Sequence, residues 1–215
     1  MRVLLLLVTA ALTYFLGGIN GAVVSARLVF RKSARSFGGS AGLNNYYRRF
    51  GLPAMIPVAL IDIVKSVLAV LIGGWLLGLT GAKEAGRLFA GFCVTLGHVF
   101  PLRDRFRGGK GVMCAAVTAL LVDWRVGVCC LAAFAVALIF SSYVSLSSIV
   151  AAAAFPLMML AFSHEGLYCL LALLCALLVM IRHAENIVRL IGGTENRLKL
   201  SGKRHFRDED FEDPD

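Results

Sequence analysis

Two apolar runs of the chain are separated by the basic, glycine-rich segment Gly97-His98-Val99-Phe100-Pro101-Leu102-Arg103-Asp104-Arg105-Phe106-Arg107-Gly108-Gly109-Lys110-Gly111-Val112. Glycine has no Cβ, so successive backbone N–H groups of such a loop are free to turn toward one anion. Lys110 adds a positive charge, and a helix that begins near Gly111 directs the positive end of its dipole to the same place. The segment therefore predicts a binding site for a phosphate group.

This segment differs from the phosphate loop of the P-loop NTPases. Their pattern, G-x-x-x-x-G-K-[ST], places a Ser or Thr after the lysine, whereas residue 111 is glycine. Without that hydroxyl, which ligates Mg²⁺, nucleotide hydrolysis is disfavoured. Its cations are also typical of a cytoplasmic loop in a membrane protein, so both interpretations stay open on this segment alone. The cations are Arg103, Arg105, Arg107 and Lys110.

The composition is that of a membrane protein. Of the 215 residues, 59% are hydrophobic and 16% are charged, and the mean hydropathy is +0.79. Soluble domains carry about 25% charged residues, so we predict an all-α, polytopic membrane helix bundle. A span needs about 20 residues, which allows about five to seven spans. We expect one membrane domain, residues 1–200, followed by a charged, disordered tail, residues 201–215.

In a membrane protein, a net charge of +9 indicates first basic cytoplasmic loops that contact anionic membrane lipids, so nucleic acid is not the expected partner. Anionic substrates are the more specific interpretation. All six cysteines lie within apolar runs, with no C-x-x-C pair and no histidine at metal-ligand spacing. We therefore interpret them as small packed side chains that form neither a disulfide framework nor a zinc site. We predict no metal and no cofactor.

The apolar runs predict seven transmembrane helices, with five as the alternative because some runs are short. By the positive-inside rule the basic residues 27–52 are cytoplasmic, which puts the N-terminus outside. Alternation from there places residues 101–110 and the C-terminal residues 183–215 on the cytoplasmic face as well. The predicted spans are residues 1–26, 53–80, 87–100, 111–122, 126–143, 144–163 and 166–182.

Two polar groups of residues stand out against this apolar background. Asp62 and Lys65 lie at i and i+3 inside the second span, where ionisable residues normally face a partner, so we expect them to pair or to support a site. His183, Asn186 and Arg189 fall close to one face of the last helix as it leaves the membrane. A helix end whose polar side chains reach the lipid headgroups is the alternative for this second group.

Taken together, these segments resemble the acyl-phosphate:glycerol-3-phosphate acyltransferases, the PlsY family of bacterial integral membrane enzymes, over nearly the whole chain. The second family motif, G-H-x-F-P followed by F-[KR]-G-G-K-G-V, matches residues 97–101 and 106–112. The third motif, H-x-x-N-I-x-R-L-x-x-G-x-E, matches residues 183–195. Weaker matches are the D-x-x-K pair at residues 62 and 65 and a serine-rich helix start at residues 143–148.

The first family motif, usually close to S-G-N-x-G-[AL]-T-N-x-x-R-x-x-G, is matched only in part by residues 38–51. The motif's serine position holds glycine, and Ser36 and Ser40 are the candidates to supply the hydroxyl. Aligned residues are Gly42, Asn45, Arg48 and Gly51, while the positions of the motif's serine, first asparagine and threonine hold Gly38, Ser40 and Asn44.

The resemblance implies transfer of a fatty acyl group from acyl phosphate to the sn-1 hydroxyl of glycerol 3-phosphate. The products are lysophosphatidate and phosphate, and the site faces the cytoplasm at the bacterial inner membrane. Acyl phosphate is an activated donor, so the protein's task is to hold two anions together and to stabilise the developing charge. The partners implied are these two substrates and membrane lipids.

The resemblance also implies roles for single residues. Lys110 and the loop amides hold the acyl phosphate, while His183 acts either as general base or as a hydrogen-bond partner of a phosphate, and His98 caps carbonyls at a helix end. The catalytic candidates are His183, Asn186, Ser148 and Ser40; the substrate-binding candidates are Arg48, Asn45, Gly108, Gly109, Lys110, Gly111 and Arg189; the supporting candidates are Asp62, Lys65, His98 and Glu195.

Two other classes of function stay open on the sequence. Basic and serine-rich groups within an apolar bundle also suit a transporter of anionic solutes, although the motif segments all fall on one predicted face. The incomplete first motif is compatible with an inactive relative that has a structural role.

Overall fold

A computed structural model describes residues 1–29 and 43–198, with side chains described for residues 1–25 and 55–198. Every regular element in these ranges is helical, as predicted. The helices are α1 (Arg2–Gly17), α2 (Gly21–Val29), α3 (Leu43–Gly78), α4 (Lys83–Val99), α5 (Val112–Val122), α6 (Trp124–Ser141), α7 (Val144–Ser163), α8 (Gly166–Arg182) and α9 (Ala184–Ile191), with a 3₁₀ turn at Leu102–Asp104. The predicted tail, residues 201–215, lies outside the described residues.

The first predicted span, residues 1–26, is two helices, so the single-helix prediction is wrong. The side chain of Asn20 accepts hydrogen bonds from amides two and three residues further on, at 2.9 and 3.3 Å, and thereby caps α2. The carbonyls of Gly17 and Ile19, which the break leaves without helical partners, accept hydrogen bonds from Lys65 in α3. Part of the hydrogen bonding at this break is therefore supplied by Lys65, a residue that is distant in the sequence.

Length and apolar character identify four candidate membrane spans among the described residues, or five if α8 and α9, which meet at 59°, form one bent span. A helix occupies each of the seven predicted positions, but α1 has only 16 residues and α5 only 11. The chain is thus a multi-pass membrane helix bundle, while the count of seven stays a prediction. The four spans are Met55–Gly78, Lys83–Asp104, Trp124–Ser141 and Val144–Ser163.

Glycines allow α4 to pack closely against both α1 and α3. A Cβ on Gly17 of α1 would collide with the backbone of Val94 in α4. A Cβ on Gly73 of α3 would likewise collide with the backbone of Gly86 in α4. Close backbone approach of this kind is typical of helices packed in membranes. It places the C-terminal end of α4, where the glycine-rich loop begins, between two other helices.

The distribution of polar and apolar side chains is the reverse of that in a soluble protein. Large apolar side chains cover the outer faces; Phe140 is 85% exposed and Trp75 is 68% exposed. Asp62 and Lys65, by contrast, are 6% and 3% exposed. Such an apolar exterior fits contact with lipid. The main hydrophobic core lies among the five helices α4, α5, α6, α7 and α8. It contains Leu88, Ala119, Val126, Cys130, Phe155, Met159, Leu171, Ala172 and Cys175.

Candidate active site

The glycine-rich loop folds back onto the end of α4. The amide of Gly108 donates to the carbonyl of Val99 at 3.1 Å, and the amide of Gly109 donates to the carbonyl of His98 at 3.0 Å. A Cβ on Gly108 would collide with backbone atoms of α4, and one on Gly109 would collide with the imidazole ring of His98. These two positions therefore accept only glycine unless the loop or, for Gly109, the His98 ring shifts.

Those hydrogen bonds correct the expected chemistry of the loop. The amides of Gly108 and Gly109 are already used by the carbonyls of α4, so they are not available to a phosphate. Within the described residues, the amides of Lys110 and Gly111 donate to no carbonyl. Gly111 has a φ of +79° and directly precedes α5, whose N-terminus lies beside these amides. Among residues 108–111, Lys110 is therefore the first whose amide is available to an anion.

Lys110 contacts the segment that contains the third motif. Its Nζ lies 2.5 Å from Oδ1 of Asn186, and Nδ2 of Asn186 donates to Oε1 of Glu195 at 2.7 Å. Oε2 of Glu195 accepts a hydrogen bond from Nε of Arg189, also at 2.7 Å. Ser145, at the start of α7, donates to Oε1 of the same glutamate at 2.9 Å. A connected polar cluster thus joins the loop to α7, α9 and the segment after α9.

The charges of this cluster are tuned by burial and by hydrogen bonds. Burial lowers the pKa of Lys110, and Glu195 opposes that shift. Burial by itself raises the pKa of Glu195, but hydrogen bonds from Arg189, Asn186 and Ser145 outweigh it, so the pKa is below its ordinary value. The cluster therefore combines a partly dehydrated ammonium with a carboxylate that is already fully engaged, which suits binding of an added anion.

His183 lies at the bend between α8 and α9 and is 2% exposed. Its Nδ1 is 2.7 Å from the carbonyl of Val179; because a carbonyl only accepts, Nδ1 carries the hydrogen. In the neutral ring, Nε2 then keeps its lone pair and is the accepting atom. The predicted common helix face is interrupted by the bend at His183, whereas Asn186 and Arg189 do meet, at Glu195.

Among the described side chains, the polar cluster has no hydrogen bond to Ser148 or to a residue of the first motif. Ser148 donates to the carbonyl of Val144 in its own helix, at 2.8 Å. Ser145, one turn earlier, is the serine of α7 that reaches the cluster. Ser40 lies outside the described residues, and so do the side chains of Asn45 and Arg48 in the first turns of α3.

A buried ion pair supports the loop from the side of α3. Nζ of Lys65 lies 2.8 Å from Oδ1 of Asp62, which confirms the predicted pairing. The same Nζ lies 2.7 Å from Nδ1 of His98, whose ring packs against Gly109. The expectation that the His98 ring caps carbonyls is therefore corrected: Lys65 binds carbonyls, those at the end of α1, and the ring binds Lys65. This group holds α1, α3 and α4 together beneath the loop.

Arg182 was not among the predicted site residues. Its Nη2 donates to the carbonyl of Gly108 at 3.0 Å, and its Nε donates to the carbonyl of Gly109 at 3.2 Å. Its guanidinium also lies 5.8 Å from the ring centroid of Phe100. The sequence did hold a signal, a cation in the last turn of a helix directly before the motif histidine. The loop carbonyls that it binds were not visible in the sequence.

Gly109→Ala is expected to reduce activity about tenfold or more, because the added Cβ enters the space of the His98 ring and overpacking costs about 1–3 kcal/mol. Steady-state rates of the purified variant measure the effect. Gly166→Ala is the matched control, since a Cβ there meets no atom within 4 Å. Equal activity of the two variants would show that the contact with His98 does not shape the loop.

Acid is expected to destabilise the protein in part through Glu195. Its pKa is lower when folded than the ordinary value of 4.5, so its contribution to stability is present at neutral pH and is lost as the pH falls through the folded-state pKa. Thermal unfolding in detergent at several pH values measures this loss. The Glu195→Gln variant should be less stable at neutral pH and should lose less stability on acidification. An unchanged pH dependence in that variant would contradict this role.

The fold and this cluster define a multi-pass membrane protein with a cationic, phosphate-suited site at one end of its helix bundle. Residues 7–193 match the family model described as glycerol-3-phosphate acyltransferase. The chain is 36% identical over 191 residues to the glycerol-3-phosphate acyltransferase of Thermoanaerobacter pseudethanolicus, covering 88% of this chain and 94% of that one. It is 37% identical over 211 residues to that of Cereibacter sphaeroides, covering 97% and 96%. The chain therefore belongs to the glycerol-3-phosphate acyltransferase family.

Solved structures agree with this assignment. The glycerol 3-phosphate form of PlsY (YgiH), an integral membrane glycerol 3-phosphate acyltransferase, superposes with a TM-score of 0.80 at 27% identity, covering 90% of this chain and 96% of that one. Its lysophosphatidic acid form gives a TM-score of 0.78 at 26% identity. The resemblance to PlsY is confirmed, the chain is an acyltransferase of phospholipid synthesis, and a transporter is not favoured.

Proposed function

We propose that this acyltransferase takes its acyl group from acyl phosphate and passes it to the sn-1 hydroxyl of glycerol 3-phosphate, releasing lysophosphatidate and inorganic phosphate. The contact between Lys110 and Asn186 is the observation that carries this proposal. It brings the basic loop of the second motif onto the helix of the third. Two anionic substrates repel each other, so a site that binds both must supply positive charge close to their phosphates.

The donor phosphate lies against the loop in this proposal. Nζ of Lys110 and the amides of Lys110 and Gly111 bind it, together with the N-terminus of α5. Gly108 and Gly109 give the loop its shape, and their carbonyls face Arg182. A fatty acyl chain attached to the phosphate would extend along the apolar helices, which is where a lipid substrate is most stable.

The acceptor phosphate is bound by the first motif. Arg48 and Asn45 supply charge and hydrogen bonds, and Ser40 supplies the hydroxyl that the motif otherwise lacks. Arg189 assists them, since its side chain is 40% exposed although Nε is used by Glu195. Glu195 keeps α9 and the following segment in place, as its three hydrogen bonds suggest.

The chemical step needs no covalent intermediate on the enzyme. The sn-1 oxygen of glycerol 3-phosphate attacks the acyl carbonyl carbon, the bond from that carbon to the phosphate oxygen breaks, and the proton of the hydroxyl passes to an oxygen of the acyl phosphate. Asn186 and Ser148 orient the carbonyl and the hydroxyl. His183 hydrogen-bonds a substrate phosphate: beside that anion the ring takes up a second proton, so that Nε2 donates while Nδ1 still donates to Val179. It thus positions the substrate and is not the base.

The proposed topology has seven spans, an external N-terminus and a cytoplasmic site and C-terminus, in the bacterial inner membrane. The three basic segments share one face in that arrangement, as the positive-inside rule requires. With a rise of about 1.5 Å per residue, α5 is too short to cross about 30 Å of hydrocarbon. A span with so short a helix is tolerated because α5 packs among α3, α4, α6 and α8 and is not surrounded by lipid alone.

Donor choice tests this proposal. The purified protein in detergent is given glycerol 3-phosphate with palmitoyl phosphate, palmitoyl coenzyme A or palmitoyl acyl carrier protein, and lysophosphatidate is measured by mass spectrometry. We expect lysophosphatidate with palmitoyl phosphate as the donor and none with either thioester donor. Product from a thioester donor and none from palmitoyl phosphate would refute the proposed donor while leaving the family assignment intact.

A further inference from the structure

We propose that Arg182 is a positioning residue for the acyl-phosphate donor, which acts by fixing the orientation of the peptide between Gly109 and Lys110. This inference rests on the proposed function, because it concerns how the same loop presents its donors to a phosphate. It adds a residue that the three motifs do not include.

The peptide between Gly108 and Gly109 is held at both of its polar groups. Its N–H donates to the carbonyl of His98, and its C=O accepts from Nη2 of Arg182 at 3.0 Å. Neither group is free to rotate toward a ligand without losing a hydrogen bond. This peptide is therefore a fixed base for the next one.

The following peptide, between Gly109 and Lys110, is held at one group only. Its C=O accepts from Nε of Arg182 at 3.2 Å. In a trans peptide the N–H points away from the C=O, so the amide of Lys110 faces the side of the loop opposite the guanidinium. Within the described residues that amide has no backbone acceptor. Arg182 thus determines where one of the two free loop amides points.

Charge gives a second reason for an arginine at this position. A loop that turns its amides to one side turns its carbonyls to the other, and carbonyl oxygens near a phosphate repel it. The guanidinium neutralises the carbonyls of Gly108 and Gly109 with two N–H groups in a planar fork. A lysine ammonium would keep the charge, but it is a point charge and does not reproduce this planar pair of donors.

Arg182 is anchored well enough to act as a rigid support. It is the last residue of α8, where a cation also interacts favourably with the helix dipole. Its guanidinium lies 5.8 Å from the ring centroid of Phe100, next to the start of the loop. The next residue is His183, so a shift of the Arg182 backbone also moves the bend between α8 and α9, where the third motif begins.

The test compares Arg182→Gln and Arg182→Lys with Arg125→Lys, a control on an exposed arginine that pairs with Asp123. Steady-state kinetics with palmitoyl phosphate and glycerol 3-phosphate are measured for each protein. We expect the KM for palmitoyl phosphate to rise about tenfold in Arg182→Gln, with a KM for glycerol 3-phosphate within about twofold of the wild type. Arg182→Lys should show a smaller rise in the KM for palmitoyl phosphate than Arg182→Gln, but not the wild-type value. The Arg125→Lys control should have the wild-type KM values.

A merely structural role would reduce the amount of active protein and hence kcat, without a selective change in one KM. That result, an equal rise in both KM values, or full recovery by lysine would overturn the proposal. If the glutamine variant does not fold, the lysine variant decides, because it keeps the cation. Failure of the wild type to use palmitoyl phosphate would overturn the proposed function as well, whereas wild-type turnover with an unchanged donor KM in both variants overturns the role of Arg182 alone.

Discussion

Lys110→Ala is expected to lower kcat/KM by about a hundredfold or more, the usual cost of removing a preorganised donor at a developing charge. The ammonium is the cation of the loop that reaches the third motif, through Asn186 at 2.5 Å. Its pKa is lowered by burial, so it is partly dehydrated before any anion arrives. In the proposed reaction, the substitution removes that charge from beside the two substrate phosphates. Initial rates of lysophosphatidate formation measure the loss.

Lys83→Ala is the matched control for charge, because Lys83 begins α4, at the end opposite the loop. We expect its activity to stay close to that of the wild type. A Lys110→Ala enzyme with more than about a tenth of the wild-type kcat/KM would contradict a direct role in binding the donor phosphate. The thermal stability of both variants is measured alongside, so that unfolding is not mistaken for loss of catalysis.

Asp62→Ala is expected to have the largest effect on stability. It leaves the ammonium of Lys65, which is 3% exposed, without its carboxylate, and breaking a buried pair costs about 3–5 kcal/mol. Thermal unfolding in detergent measures the change. Activity should fall as well, because His98, which contacts Lys65, supports Gly109.

Glu84→Ala provides the control, since Glu84 and Arg87 have the same i, i+3 spacing but Glu84 is 41% exposed. An exposed pair contributes about 0–1 kcal/mol, so this variant should unfold near the wild-type temperature. Similar destabilisation by the two substitutions would show that burial does not set the energy of the Asp62 and Lys65 pair.

The sequence predicted the helices well where apolar runs are bounded by polar residues. The helices α6, α7 and α8 lie within a few residues of their predicted ranges. It failed at the break before α2 and at the bend at His183. Both depend on hydrogen bonds between side chains and the backbone. In the first case the side chain of Asn20 accepts from amides and Lys65 donates to carbonyls; in the second, Nδ1 of His183 donates to the carbonyl of Val179. An average over an apolar window does not contain them.

For the site, the motifs identified the segments but not the contacts between them. Lys110 and Asn186 are 76 positions apart, so only the folded chain shows that they meet. The sequence predicts that the amides of the loop glycines bind the phosphate, whereas the amides of Gly108 and Gly109 bind carbonyls at the end of α4. The sequence does not predict the role of Arg182, because the partners of this arginine are backbone carbonyls, which have no signature in a sequence.

We propose that the loop and the third motif form one site for acyl transfer from acyl phosphate. The most direct test of this proposal follows inorganic phosphate and lysophosphatidate together, with purified protein, palmitoyl phosphate and glycerol 3-phosphate. We expect the two products to appear in equal amounts, neither to form without glycerol 3-phosphate, and Lys110→Ala to slow the formation of both by about a hundredfold or more. Phosphate release that does not depend on glycerol 3-phosphate, or no release from a folded wild-type protein, would contradict it.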